Sequence, residues 1–169
     1  MKKIANEFNE NLYTFKTRSN LTVKYLHRPG FKKNAAVLAV PFGALNIKQK
    51  LNGKEITHPL GVAHFLEHKV FEDEQEDILS QFSKLGGSAN AFTSYQETMY
   101  YFTHDTHLFE PLALLLKFVR RFDIDKASVE KEKPIIVEEI KMYEQMPEMR
   151  LLAETYRNTF HQFPYIYDI

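Results

Sequence analysis

His64-Phe65-Leu66-Glu67-His68 is the stretch from which the rest of the chain can be placed. Two histidines four apart on a helix present their imidazoles one turn above the other on a single face. Neutral imidazole is the commonest metal ligand. At roughly 100° per residue, His64, Glu67 and His68 share an arc of about 100°, so two ring nitrogens and a carboxylate converge on one spot. The expectation is a helix that carries two metal ligands, with an acid or base beside them.

Working outward, Pro59 to Gly61 leads into this helix, which is expected to run to about Phe71. Upstream, 12–17 and 21–26 alternate like strands around the turn signal Arg18-Ser19-Asn20. The apolar run 35–40, ended by Pro41 and Gly43, fits a central strand covered on both faces. Residues 46–60, Lys-rich and holding Asn52-Gly53, read as a loop. Downstream, Glu72 to Asp77 is an acidic run whose plain reading is a solvated turn and helix start. A second helix over 76–85 ends at Gly86-Gly87, which suits a C-cap. Then 88–95 and 98–103 read as a hairpin, followed by an apolar helix over 107–121 capped by Asp105 or Thr106. A long helix from about Asp125 to Glu144 and another over 149–161 complete the pattern. Strands, helices, hairpin and helices in that order predict an α+β fold, with helices packed on a largely antiparallel sheet.

The bulk composition narrows the field. The 169 residues, 44% hydrophobic and 26% charged, have the length and make-up of one globular domain. Formal net charge is zero, so no global field draws the chain to nucleic acid or to an acidic membrane, and neither is expected as a partner. No apolar run approaches the roughly 18 residues needed to span a bilayer. Asn6, Glu7 and Asn9 interrupt any apolar region behind Lys2 and Lys3, which argues against a signal peptide and for the cytoplasm. Cysteine is absent, so a metal site must use His and carboxylate. The chain stops at Phe163-Pro164-Tyr165-Ile166-Tyr167-Asp168-Ile169, an aromatic stretch where a polar terminus is usual. That points to a fragment of something longer.

Catalytic zinc takes three protein ligands and keeps one position for water. The third is sought on the helix after Asp125. There Val129, Ile136, Ile140 and Tyr143 form an apolar stripe within roughly 40°. Glu139 flanks that stripe at about 60° from Ile136, and Glu132 lies within about 20° of Glu139, while Glu138 points to solvent. Carboxylates aimed at a core need a compensating charge, which a zinc held by two imidazoles supplies. Glu139 is therefore the expected ligand. Pro134 is expected to kink or restart this helix. His104 and His107 read as turn or first-turn residues, and His27, His58 and His161 have no partner pattern. Ser128-Val129-Glu130-Lys131 matches a serine acyl-enzyme string by chance.

The H-x-x-E-H order is the inverted form of the zinc-peptidase motif. Together with Gly61-Val62-Ala63 before it, Gly86 to Thr93 with Thr98 and Tyr100, and Glu132 to Glu139, it resembles the pitrilysin/insulinase family of zinc metallopeptidases. The bacterial processing-peptidase-like members are the most similar. The resemblance implies a zinc endopeptidase on an N-terminal half-domain of the mitochondrial-processing-peptidase-like metallohydrolase fold. Residues 1–169 are then a single, incomplete N-terminal zinc-peptidase domain. It implies His64, His68 and Glu139 as zinc ligands, Glu67 as general base and Glu132 as an outer-shell hydrogen-bond partner. Asn90 and Ala91 match positions against which a peptide substrate lies as an added strand. It further implies a second homologous domain or subunit, missing from this chain, which brings an Arg and a Tyr to substrate. The competing expectation is a truncated peptide- or partner-binding subunit that does not cleave. An incomplete sheet also predicts self-association.

Overall fold

The computed structural model describes residues 1–4, 7, 10–72, 77–121 and 124–162. The stretch 163–169 and residues 73–76 of the acidic run lie outside the described residues. Two compact units divide the chain, residues 1–33 and 34–169.

The first unit is an antiparallel sheet of β1 (Lys2–Ile4), β2 (Asn11–Lys16) and β3 (Thr22–His27), in that order. β2 and β3 fall where the alternation predicts them, and Asn20 takes the left-handed conformation at the turn (φ 65°). β1 has three residues and carries no alternation to announce it.

The second unit is built on β4 (Asn34–Val40), β7 (Gly87–Thr93) and β8 (Thr98–His104), antiparallel in the order β4-β8-β7. β8 is therefore the middle strand, and the run 35–40 is not central as its apolarity suggests. Apolarity reports burial but not neighbour order, and Val37 stands 59% exposed. Along β8 the side chains alternate, with Thr98, Tyr100, Phe102 and His104 buried. Onto that face pack Val70 of α1 (Val62–Phe71), Ile78 and Phe82 of α2 (Ile78–Lys84), and Leu115 and Phe118 of α3 (Phe109–Phe118). α4 (Lys126–Glu144) and α5 (Pro147–Thr159) follow. The arrangement is α+β, as expected.

Four local expectations change. Residues 46–60 are not a plain loop: β5 (Lys48–Leu51) and β6 (Lys54–Thr57) form a hairpin around Asn52-Gly53, with φ 50° and 81°. Such a paired left-handed turn joins two-residue hairpins, and the flanking Lys48, Gln49 and Lys50 carry no apolar period to reveal the strands. α3 is not capped by Asp105 or Thr106. Its N-cap is Leu108 without a side-chain bond, and the amides of Thr106 and His107 donate to His104 Nδ1 at 3.0 and 2.9 Å. His104 is thus a buried strand end, its Nε2 donating to Leu85 O at 2.6 Å, and not a turn residue. α4 does not restart at Pro134 but runs through it. Glu132 before that proline and Glu139 after it both meet His68 of α1, so tertiary contacts span the position where one helix hydrogen bond is missing. Gly86, in the left-handed region at φ +84°, sits just past α2 as a C-cap glycine does. Among the described residues no helix is long and apolar enough to cross a membrane.

Candidate metal centre

α1 and α4 cross with His64 and His68 facing Glu139. Asp125 starts α4 by accepting from Ser128 N at 2.7 Å, which sets the helix phase that carries both glutamates inward. Among the described residues, His64, His68 and Glu139 form one cluster able to hold a metal ion. His64 Nε2 and His68 Nε2 are 3.2 Å apart, and Glu139 Oε2 lies 3.2 Å from His68 Nε2 and 3.7 Å from His64 Nε2. Neighbouring ligand atoms of a tetrahedral zinc site with bonds of about 2.0 Å are separated by about 3.3 Å. Two edges of the triangle match that spacing and the third, 3.7 Å, is a little longer. The donor set, two imidazoles and a carboxylate, suits zinc as well.

Glu132 lies behind His68. Its Oε1 is 2.9 Å from His68 Nδ1. A carboxylate only accepts, so Nδ1 carries the proton and Nε2 turns its lone pair toward His64 and Glu139. The helix stripe expected to be core is not: Ile140 is 51% exposed, and Glu132 is the buried residue of α4. Burial follows the polar seam here because α4 meets α1 through His68 and Lys69. Glu138 is exposed, as its angle predicts, and pairs with Lys141.

Glu67 sits on the flank of the triangle, where Thr93 Oγ1 of β7 donates to its Oε2 at 2.7 Å. Tyr100 is buried beside it. Desolvation first, and the Glu67 charge second, push the Tyr100 hydroxyl up to about 12. Asn90 and Ala91 lie on β7, at the outer edge of the β4-β8-β7 sheet, and the Ala91 amide donates to Asn90 Oδ1 at 2.8 Å.

Three participants escape sequence reasoning. Thr93 gives no signal until β7 is docked on α1. Tyr143, counted in the apolar stripe, lies close enough to Glu139, four residues earlier on α4, to feel its charge. Burial, then the Glu139 charge, raise its pKa. The i, i+4 spacing was the available clue. Lys69, to which the sequence assigns no role, is buried, its ammonium against Glu72, 3.3 Å from Ser128 O and 4.0 Å from Glu132 Oε2. Burial lowers its pKa while the Glu132 charge opposes that shift. Ser128 Oγ donates to Glu72 at 2.8 Å, so the serine of the chance acyl-enzyme string is engaged structurally.

Residues 22–167 match the family described as Insulinase (Peptidase family M16). The uncharacterized zinc protease YmfH of Bacillus subtilis is 39% identical over 165 residues, which is 96% of this chain and 39% of that protein. The uncharacterized zinc protease YmxG of the same organism is 38% identical over 93 residues, covering 52% of this chain and 23% of YmxG. The crystal structure of an M16-like peptidase from Alicyclobacillus acidocaldarius superposes with a TM-score of 0.84 at 32% identity. The match covers 91% of this chain and 36% of that one. The chain thus spans about two fifths or less of the length of these relatives.

Proposed function

We infer that this chain, which belongs to the insulinase family (peptidase family M16), is the catalytic half of a zinc-dependent endopeptidase that hydrolyses extended peptides. The observation that carries the reading is the His64, His68, Glu139 triangle with Glu67 held beside it by Thr93. In this reading His64 Nε2, His68 Nε2 and Glu139 Oε2 are the zinc ligands, and Glu132 orients His68 from behind. Zinc, when bound, supplies Lewis acidity that acidifies a water and polarises the scissile carbonyl. Glu67 is the general base. Thr93 occupies its Oε2, so the proton taken from water is held at Oε1 and passed from there to the leaving amine.

The substrate lies along β7 as an added strand, bound mainly through its main chain. Ala91 N–H, now bonded to Asn90 Oδ1, exchanges that partner for a peptide carbonyl. This mode favours unfolded peptides over folded proteins. A second homologous domain or subunit closes over the site. The exposed apolar side chains of α4 and α5, among them Ile135, Ile140, Leu151 and Leu152, support the existence of such a covering surface. Left uncovered, that surface makes these 169 residues self-associate; a monodisperse monomer by light scattering would count against this.

The test is Glu67→Gln in the intact protein. Stoichiometric zinc by elemental analysis with lost cleavage of a quenched peptide is the expected result. Retained cleavage removes Glu67 as the base. Zinc without cleavage in the wild type favours a peptide-binding subunit instead.

A further inference from the structure

We propose that Lys69 is a positioning residue for the metal centre, its ammonium clamping Glu132 so that the carboxylate holds the His68 ring in one orientation. The proposal rests on the zinc-site reading and extends it one residue outward. Lys69 lies next to His68 on α1 but faces the first turns of α4, with a side chain 1% exposed. Its ammonium meets Glu72, the Ser128 carbonyl at 3.3 Å and Glu132 Oε2 at 4.0 Å. Packing does not demand a charge in that slot. Buried ion pairs are often replaced by apolar side chains of similar volume without loss of stability. What does demand it is Glu132, which is itself buried and gives Oε1 to His68 Nδ1 at 2.9 Å. His68 Nδ1 holds Oε1 by a hydrogen bond, and the Lys69 ammonium, 4.0 Å from Oε2, attracts the other oxygen by charge without a direct hydrogen bond, so the carboxylate is drawn inward from both sides. The His68 ring is then fixed about its bond axis, and Nε2 stays aimed at His64 and Glu139. Glu72, tied to α4 by Ser128 Oγ at 2.8 Å and Lys131 at 3.1 Å, keeps the ammonium from following Glu132 outward.

The experiment measures zinc affinity of the intact protein by chelator competition, and the visible spectrum of the cobalt-substituted form. Lys69→Met is expected to bind zinc about tenfold more weakly and to shift the cobalt bands, as loss of an outer-shell partner does. Lys69→Gln, which keeps donors for Glu72 and the Ser128 carbonyl, serves the same end should the methionine variant not fold. In a Glu132→Gln background, the Lys69 change adds little further loss because both act through one carboxylate. Wild-type affinity and cobalt spectrum in either folded Lys69 variant would overturn the proposal, and so would additive losses in the double variant. A wild type that binds no zinc would overturn the metal-site reading itself, which separates the two failures.

Discussion

The face of β8 under α2 and α3 and the seam between α1 and α4 belong to one compact unit but are held by opposite physics. Under α2 and α3, Phe82 and Phe102 are fully buried and stack at 5.8 Å, with Leu115 and Phe118 closing the cluster. Along the α1–α4 seam the buried groups are Lys69 and Glu132, and Glu132 reaches the candidate metal triangle through His68, one of its three corners. Apolar burial is non-directional and forgives changes of shape that keep the volume. A buried ionic seam contributes little net stability but fixes directions. This unit is stabilised in one place and aimed in another.

The largest separation between the two regions comes from Glu67→Gln. Peptide cleavage by the intact protein is expected to fall about a hundred- to ten-thousandfold, with the unfolding temperature unchanged. Phe82→Ala works the other way, costing about 3–5 kcal/mol in denaturant unfolding while leaving zinc stoichiometry per folded molecule intact. Loss of zinc from that folded variant would show that the regions are not separable. Removing zinc with a chelator is expected to cost about 2.7 kcal/mol when the starting free zinc is a hundred times the dissociation constant. The same decrement in Phe82→Ala would sharpen the comparison, since the two contributions would then add.

Tyr100 tests the boundary between the regions, because its ring belongs to the core and its hydroxyl faces Glu67. The folded chain keeps the phenolic proton up to about pH 12, whereas an unfolded chain loses it near 10.0. Its contribution is therefore fully present below pH 10 and is lost as pH rises toward 12, by roughly 2–3 kcal/mol. Urea unfolding across that window should show Tyr100→Phe with a shallower alkaline decline than the wild type; equal slopes would place the hydroxyl in water. The smallest effect is expected at Leu51→Ser on β5, within about 0.5 kcal/mol by the same unfolding assay, since Leu51 is 59% exposed.

Much of this was legible in the residues. His64, Glu67, His68, Glu132 and Glu139 could be aligned on two helix faces because helical geometry projects fixed spacings onto fixed directions. The hairpin of β7 and β8 showed in its alternation. The β5–β6 ribbon did not, because strands exposed on both faces need no apolar period. Nor did the buried state of Lys69 or the partner of Glu67, since each depends on an element far away in the chain: Lys69 on Glu132 and Ser128, and Glu67 on Thr93.

By itself, then, the sequence determined which side chains share a helical face, which segments alternate, and the donor types a metal could find. Those are local consequences of backbone geometry. Only the tertiary structure decided that β8 and not β4 is the middle strand. It also decided that Thr93 orients Glu67, and that the inward face of α4 is charged rather than apolar. The physical reason is that burial and hydrogen-bond partnership are properties of pairs of elements, and no periodicity within one element encodes its neighbour.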